Sequence, residues 1–398
     1  MSSSSPRHPA QPPGSTAPDL DPGTRAALGR VIALAWLART ILRLERTRTA
    51  AAALLGGLGS TTALALLPSP GTVLVPALAV VAAWFGGALA LRHTRGAEDD
   101  GTAELIRVGV VSPSAPPFAT ALALDLTQAV LAVAVALGAW AGGALRATGP
   151  AAPVAGEWTG WSGALLLGVV TAGVGTTAGC LALLIGSLCA PGRRARVVAV
   201  GLGLVAVVVW AGWGVRADGV GPAWLSPLTW AVAARPLGDV TVWPLVLMAV
   251  VGDASVGAAI ALWHRSGPRL RLAEDEREFV RGCLEQSGVL PGRGIDDDLL
   301  DDPVRLHEHV VHVGAGARLW PTLTVAQNLE GLDGLRGLTS APSRRRAALE
   351  EVWGGGQAVD RLLGRRAGTL TRQESARLLA AWAHSQDVAA VLLPAPSA

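Results

Sequence analysis

Residues 161–189 read WSGALLLGVVTAGVGTTAGCLALLIGSLC and are followed by Arg193, Arg194 and Arg196; this stretch decides how the chain is read. It contains no Asp, Glu, Lys, Arg or His. A hydrocarbon layer about 30 Å thick is crossed by roughly 20 apolar residues in a helix, so the stretch is long enough to span and to tilt. Five more runs of this kind lie at 50–67, 71–91, 118–140, 197–215 and 242–263. The whole chain agrees: its 398 residues are 51% hydrophobic and 16% charged, with a mean hydropathy of +0.42. That balance is too apolar for a water-solvated fold of this size and makes the bilayer the natural solvent.

The arginines set an orientation. With the N-terminus inside, Arg39, Arg43, Arg46, Arg48, Arg92, Arg95, Arg107, Arg193, Arg194, Arg196, Arg265, Arg269 and Arg271 fall on the cytoplasmic side. Only Arg146, Arg216 and Arg235 fall outside. This asymmetry predicts a multi-pass protein of the cell (inner) membrane with both termini cytoplasmic. Trp140, Trp158, Trp161, Trp224, Trp230 and Trp243 then gather at the outer face, where indoles are at home. The net charge of +3 is small and its basic residues flank apolar runs, which speaks for juxtamembrane anchoring and against nucleic acid as a partner. Every basic residue is Arg, and neither Lys nor Tyr occurs.

Outside the spans the composition changes twice. Residues 1–24 are rich in Ser and Pro, have no packable apolar face and are expected to be a disordered tail, not a signal peptide, because the apolar run comes too late. Residues 25–48 alternate apolar positions with Arg30, Arg39, Arg43 and Arg46 at helical spacing, which predicts an amphipathic interfacial helix ahead of a permease-like unit at 49–264. Residues 265–398 bring acidic clusters and no further span, as expected of a cytoplasmic domain. Strands are expected at 310–313 and 388–393 and helices at 343–353 and 371–384. Cys180, Cys189 and Cys283 have no framework spacing. The fold class expected is an α-helical transmembrane bundle of about six spans followed by a small, degenerate α/β cytoplasmic domain.

Three stretches of the membrane half resemble permeases of the ABC-type polyketide-antibiotic exporter family. The first is Trp224-Leu225-Ser226-Pro227-Leu-Thr-Trp230, continuing through Arg235-Pro236 to Trp243-Pro244. The second is the loop Glu98-Asp-Asp-Gly-Thr-Ala-Glu104-Leu105-Ile-Arg107 with Val111-Ser-Pro113, the third the helix 161–189 with its arginines. The family usually carries about twice as many spans in one chain, so this one looks like half and is expected to form a homodimer or to pair with a second permease half. The resemblance implies efflux of a hydrophobic or antibiotic-like compound, an intact ABC ATPase subunit as partner, and Glu98, Glu104, Leu105 and Arg107 as its docking loop.

The last third resembles an ABC ATPase that has lost its chemistry. Val310 to Trp320 and Pro321-Thr-Leu-Thr-Val325 with Gln327-Asn-Leu329 are similar to the region around the Q-loop, Thr371-Arg-Gln-Glu374 to the signature, and Val391-Leu-Leu-Pro394-Ala395 to Walker B. Phosphate binding needs a Gly-rich loop and a Lys, and there is no GxxxxGK[ST] here. Arg372 and Gln373 stand for the signature glycines, Pro394 and Ala395 for the Mg²⁺-binding Asp and its neighbouring Glu, and Ala315 for the Q-loop Gln. The chain is therefore expected to bind no cofactor and to perform no hydrolysis, with ATP and Mg²⁺ handled at a partner ATPase.

Two carboxylates lie inside apolar runs, Asp125 and Asp253, where ionisable groups are costly and often functional. They could line a pathway, or be protonated or paired with a neighbouring helix. Gly138 with Gly142, and Gly175 with Gly179, have the spacing of close helix contacts. His307, His309 and His312 with Glu308 could suggest zinc, yet in an extended segment His312 points away from the other two, so solvated edge histidines are expected. The alternative to a permease is a non-transporting membrane scaffold or a decayed permease/ATPase fusion.

Overall fold

Apolar runs of this length become helices even with Pro76 and many glycines inside them, since in hydrocarbon each backbone N–H and C=O must be satisfied within its own segment. The computed structural model describes residues 22–67, 70–97, 100, 102, 106, 114–148, 160–189, 192–213, 222–266, 278, 280–282, 310–313, 317–336, 342–386, 388 and 390–392. The first half contains α1 (Pro22–Leu66), α2 (Pro70–Leu91) with a π-helical turn (Arg92–Gly96), α3 (Ala115–Thr148), α4 (Trp161–Leu188) and α5 (Gly192–Trp213). A 3₁₀ turn (Pro222–Leu225) and the short α6 (Pro227–Ala233) lead to α7 (Trp243–Ser266). Among the described residues six helices are long and apolar enough to cross a membrane, the stretches Val31–Leu66, Gly71–Thr94, Ala115–Ala147, Trp161–Leu188, Arg194–Ala211 and Trp243–Trp263.

Small residues let these helices touch backbone to backbone. α1 and α3 run side by side in the same direction: a Cβ on Gly138 would sit 2.1 Å from the Gly57 carbonyl oxygen, and one on Gly142 would sit 2.5 Å from that of Thr61. Thr61 Oγ1 donates across the seam to Gly138 O at 3.1 Å. α4 runs against α3 and α2, and a Cβ on Gly86 would lie 2.2 Å from Gly175 O. Thr177 Oγ1 donates to Met248 O at 3.1 Å and Trp263 Nε1 to Ser187 Oγ at 3.0 Å, tying α4 to α7. By contrast α5 is largely exposed, and nothing comes within 4 Å of a Cβ built on Gly201 or Gly203.

The segment 25–48, expected to be a helix of its own, is part of a longer one. The segment runs without a break into the first span as α1, and Leu37, Ala38 and Ile41 on its apolar side are buried against protein. The physical reason is twofold: from Arg43 to Leu55 there is no Gly or Pro to end the helix, and the apolar stripe finds a protein partner.

That partner is the C-terminal unit, built from β1 (Val310–His312), α8 (Val325–Leu335), α9 (Pro342–Trp353), α10 (Gly356–Gly364), a 3₁₀ turn (Ala367–Thr369), α11 (Arg372–His384) and β2 (Ala390–Leu392). β1 and β2 pair in parallel, Val311 opposite Val391, and form a two-stranded sheet among the described residues. Leu329, Leu332, Leu378 and Trp382 fill the unit's core, which is continuous with Leu37 and Ile41 of α1 and Ala119 and Ala123 of α3.

Gly138→Val forces α1 and α3 apart and is expected to cost about 1–3 kcal/mol, as overpacking does. Gly201→Val, on α5, is expected to leave stability within about 0.5 kcal/mol of the parent. Thermal unfolding of the two variants in the same detergent checks the contrast, and equal losses would contradict this packing.

Candidate functional site

Charge and aromaticity separate along the bundle. At one end Glu45, 1% exposed in its side chain, accepts from Arg92 Nη2 at 3.0 Å and Arg48 Nη1 at 3.1 Å, with His93 Nε2 at 3.0 Å from its Oε1. This cluster joins α1 to the end of α2. Glu45 is the only acidic residue of 25–48, and that isolation among arginines was the sequence signal for its role. At the other end Trp140 meets Trp161 edge-on at 6.0 Å, and Arg146, almost fully buried, donates from Nη1 to Leu67 O at 2.9 Å just past the end of α1.

Asp125 and Asp253 stand on two helices that touch each other. Both side chains are exposed on the surface of the bundle, one on α3 and the other on α7. Thr176 of α4 hydrogen-bonds the Asp125 carboxylate. Gln128, one turn along α3, is fully buried and packs flat on Gly175, 2.3 Å from where a Cβ would stand.

The family-like segment folds back onto the bundle. Ser226 caps α6 by accepting from Leu228 N–H at 3.3 Å, and Pro227 takes the first helical position, where its missing N–H costs nothing. Trp230 is buried and donates from Nε1 to Trp224 O at 2.8 Å, while the Trp224 and Trp243 rings lie 4.7 Å apart. Arg235 ends α6 with φ +47°, a left-handed turn unusual outside glycine, which reverses the chain into Pro236 and the buried Leu237. Leu225, in contrast, is 84% exposed.

The joint between α1 and the C-terminal unit centres on Trp36. Its indole lies directly on Gly331 and Gly334 of α8: a Cβ at either would fall 2.2 or 2.5 Å from ring atoms. Trp36 also packs against Trp320, centroids 6.5 Å apart, and Arg43 pairs with Glu330 at 3.7 Å. Trp320 is itself pinned by the fully buried Asn328, which accepts from Trp320 N–H at 2.8 Å and donates to Trp320 O at 3.1 Å and Thr324 O at 3.0 Å. Of the expected docking loop, Glu98, Glu104, Leu105 and Arg107 lie outside the described residues. Ile106 is described, and it packs against this same apolar cluster.

Where the resemblance puts a nucleotide signature, the start of α11 is closed by its own side chains. Glu374 Oε2 accepts from Thr371 N–H at 2.7 Å, Thr371 Oγ1 accepts from Glu374 N–H at 3.1 Å, and Arg365 Nη1 donates to Glu374 at 3.1 Å. The Thr371 amide and the Arg365 guanidinium hold the Glu374 carboxyl below the usual carboxylate range. An anion at this helix start would meet a carboxylate. Nearby, Trp382 Nε1 donates to Asp333 Oδ1 at 2.8 Å, Arg345 pairs with the same carboxylate, and Arg336 donates to Val310 O at 3.3 Å. Burial lowers the Arg336 guanidinium to about 10, which still leaves it charged at neutral pH. Ala315, Pro394, Ala395, His307, Glu308 and His309 lie outside the described residues; His312 sits at the end of β1.

No family model matches the chain, and no curated protein matches it.

Asn328→Ala strands the buried Trp320 N–H and is expected to destabilise the C-terminal unit by about 1–3 kcal/mol, read from hydrogen exchange of α8 in the full chain. Because the Glu374 pKa is depressed on folding, its stabilisation is present above the unfolded carboxylate value of about 4.3 and disappears as pH falls through the lower folded value. Glu374→Gln is expected to reduce protection of the first α11 amides at neutral pH and to abolish their extra loss of protection in acid.

Proposed function

We propose that this chain is the membrane-spanning permease component of an ABC-type exporter, with both ends of the chain in the cytoplasm of a cell bounded by an inner membrane. The observation that carries the reading is the polarity of the six-helix apolar bundle: arginines around Glu45 at one end, paired tryptophans at the other. Lipid-exposed indoles favour an interface and arginines favour the cytoplasmic one, so the polarity supports membrane insertion in that sense.

The exposed Asp125–Asp253 face supports transport over mere anchoring. An aspartate facing hydrocarbon costs about 3 kcal/mol near the middle of a span, so the face calls for a polar path or partner. The folded-back segment from Trp224 to Trp243 supports the same reading by closing the tryptophan end of the bundle between α5 and α7. The compound exported is hydrophobic or antibiotic-like, following the family resemblance.

The C-terminal unit reads as a degenerate cytoplasmic ATPase-like domain. Its strand-and-helix order and the parallel pairing of β1 with β2 support that descent, while the absence of any Lys and the self-closed start of α11 leave it without means to hold a triphosphate. ATP and Mg²⁺ are then handled by an intact partner ATPase. The same degeneracy favours the second reading, a non-transporting scaffold.

Purification of the full chain from its native membranes separates the two. Transport predicts a copurifying subunit with a complete phosphate loop and ATP hydrolysis that responds to this chain. A scaffold predicts neither. Equilibrium binding of ATP to the full chain alone is expected to be undetectable at micromolar concentration, and binding there would overturn the assignment of the C-terminal unit.

A further inference from the structure

Followed in the order α1, α3, α4, α2, the first four spans form a ring, and three of its edges are closed by backbone contact. Gly138 lies on Gly57 between α1 and α3, Gly86 lies on Gly175 between α2 and α4, and a Cβ on Gly168 of α4 would stand 2.4 Å from the carbonyl oxygen of Ala132 on α3. The fourth edge, α1 against α2, is made differently. The two helices touch, yet the nearest neighbours of Gly56 and Gly57 are on α3, and those of Gly86 and Gly87 are on α4 and α3.

At the arginine end this edge is held by charge. Glu45 of α1 is buried, with one carboxylate oxygen accepting from Arg48 Nη1 and facing His93 Nε2, and the other accepting from Arg92 Nη2. Arg92 and His93 are consecutive and reach Glu45 from the π-helical turn Arg92–Gly96, a register found mostly as single turns at functional sites. The network is incomplete. Among the described residues, the buried Arg92 Nε has no hydrogen-bond partner, and neither does the buried Thr49 Oγ1, one turn beyond Glu45. A partly satisfied polar network is costly in a low dielectric, and a buried ion pair contributes little net stability. Arg48 and Arg92 are both partly exposed, so water can take over their hydrogen bonds when the cluster separates. At the tryptophan end the same two helices are joined by chain: α1 ends at Leu66 and α2 begins at Pro70.

From this contrast we infer that the α1–α2 edge is the one built to part, with the Leu66–Pro70 connection as its hinge and Glu45 as its latch. Latched, the pair closes the ring; unlatched, α2 swings from α1 at the arginine end and opens the bundle sideways. The three glycine seams have no such second state, because sliding or tilting there drives backbone into backbone. The inference goes beyond the export reading and concerns the bundle alone, so it stands if the chain proves to be a scaffold.

The test uses the full chain in lipid nanodiscs with Cys180, Cys189 and Cys283 replaced by Ala. Spin labels at Thr47→Cys on α1 and Trp84→Cys on α2, both exposed positions, report the distance across the edge by double electron–electron resonance. A second pair, Thr47→Cys with Val130→Cys on α3, reports the α1–α3 seam. The parent is expected to show a short main α1–α2 separation with a minor longer one. Glu45→Gln is expected to raise the ratio of long to short about tenfold while leaving the α1–α3 pair unchanged. Thr61→Val, which removes the hydroxyl bond of the α1–α3 seam, is expected to keep the α1–α2 ratio of the parent. An unchanged ratio in Glu45→Gln would overturn the inference. So would equal broadening of both label pairs, which is general loosening, or a rise in Thr61→Val as large as that in Glu45→Gln.

Discussion

A helix bathed in hydrocarbon gains nothing by hiding one apolar side chain behind another, so an apolar bundle must be held by closeness of approach. That constraint explains where glycine stands in this chain. Gly138 on Gly57 and Gly86 on Gly175 bring backbones together at distances no side chain would permit, Thr61 donates across the first of these seams, and Thr177 donates from α4 to α7. α1, α2, α3 and α4 are joined this way. α5 has glycines but no neighbour close to them, and it remains the loosest member of the set.

The second organising contact belongs to water-side physics. Trp36, Trp320 and the leucines of α8 and α11 make an ordinary hydrophobic core, yet one wall of that core is the extension of a membrane span. The C-terminal unit is thus completed by α1, and its position is fixed to the bundle by a large aromatic side chain in a shallow glycine-floored groove. Asn328 adds specificity by holding the Trp320 backbone from both sides.

The spans were legible in the sequence because length and apolarity are sufficient to demand them, and the helices at Pro342–Trp353 and Arg372–His384 and the strands around Val311 and Val391 stand where pattern and capping residues put them. What escaped was everything set by pairing between distant elements. Residues 25–48 have the periodicity of an interfacial helix, and periodicity alone does not say whether lipid or protein covers the stripe. Nothing in the sequence around Trp36 marks it apart from its apolar neighbours, and its seat is made by Gly331 and Gly334, about 300 residues away. Asp125 and Asp253 each stand out in an apolar run by their cost, but their placement on touching helices and the bond from Thr176 to Asp125 come from the packing of α3, α4 and α7. In the sequence Glu45 is one acid among arginines, and only its burial makes it the centre of the cluster.

The length of α1 has a mechanical meaning. Its 45 residues span roughly 67 Å, more than twice the thickness of a hydrocarbon layer. A rod of that length, gripped along one half by α3 and loaded near its far end, behaves as a lever arm. A tilt of a few degrees inside the lipid becomes a swing of several ångströms at the loaded end, and a push there returns as a small, forceful rotation among the spans.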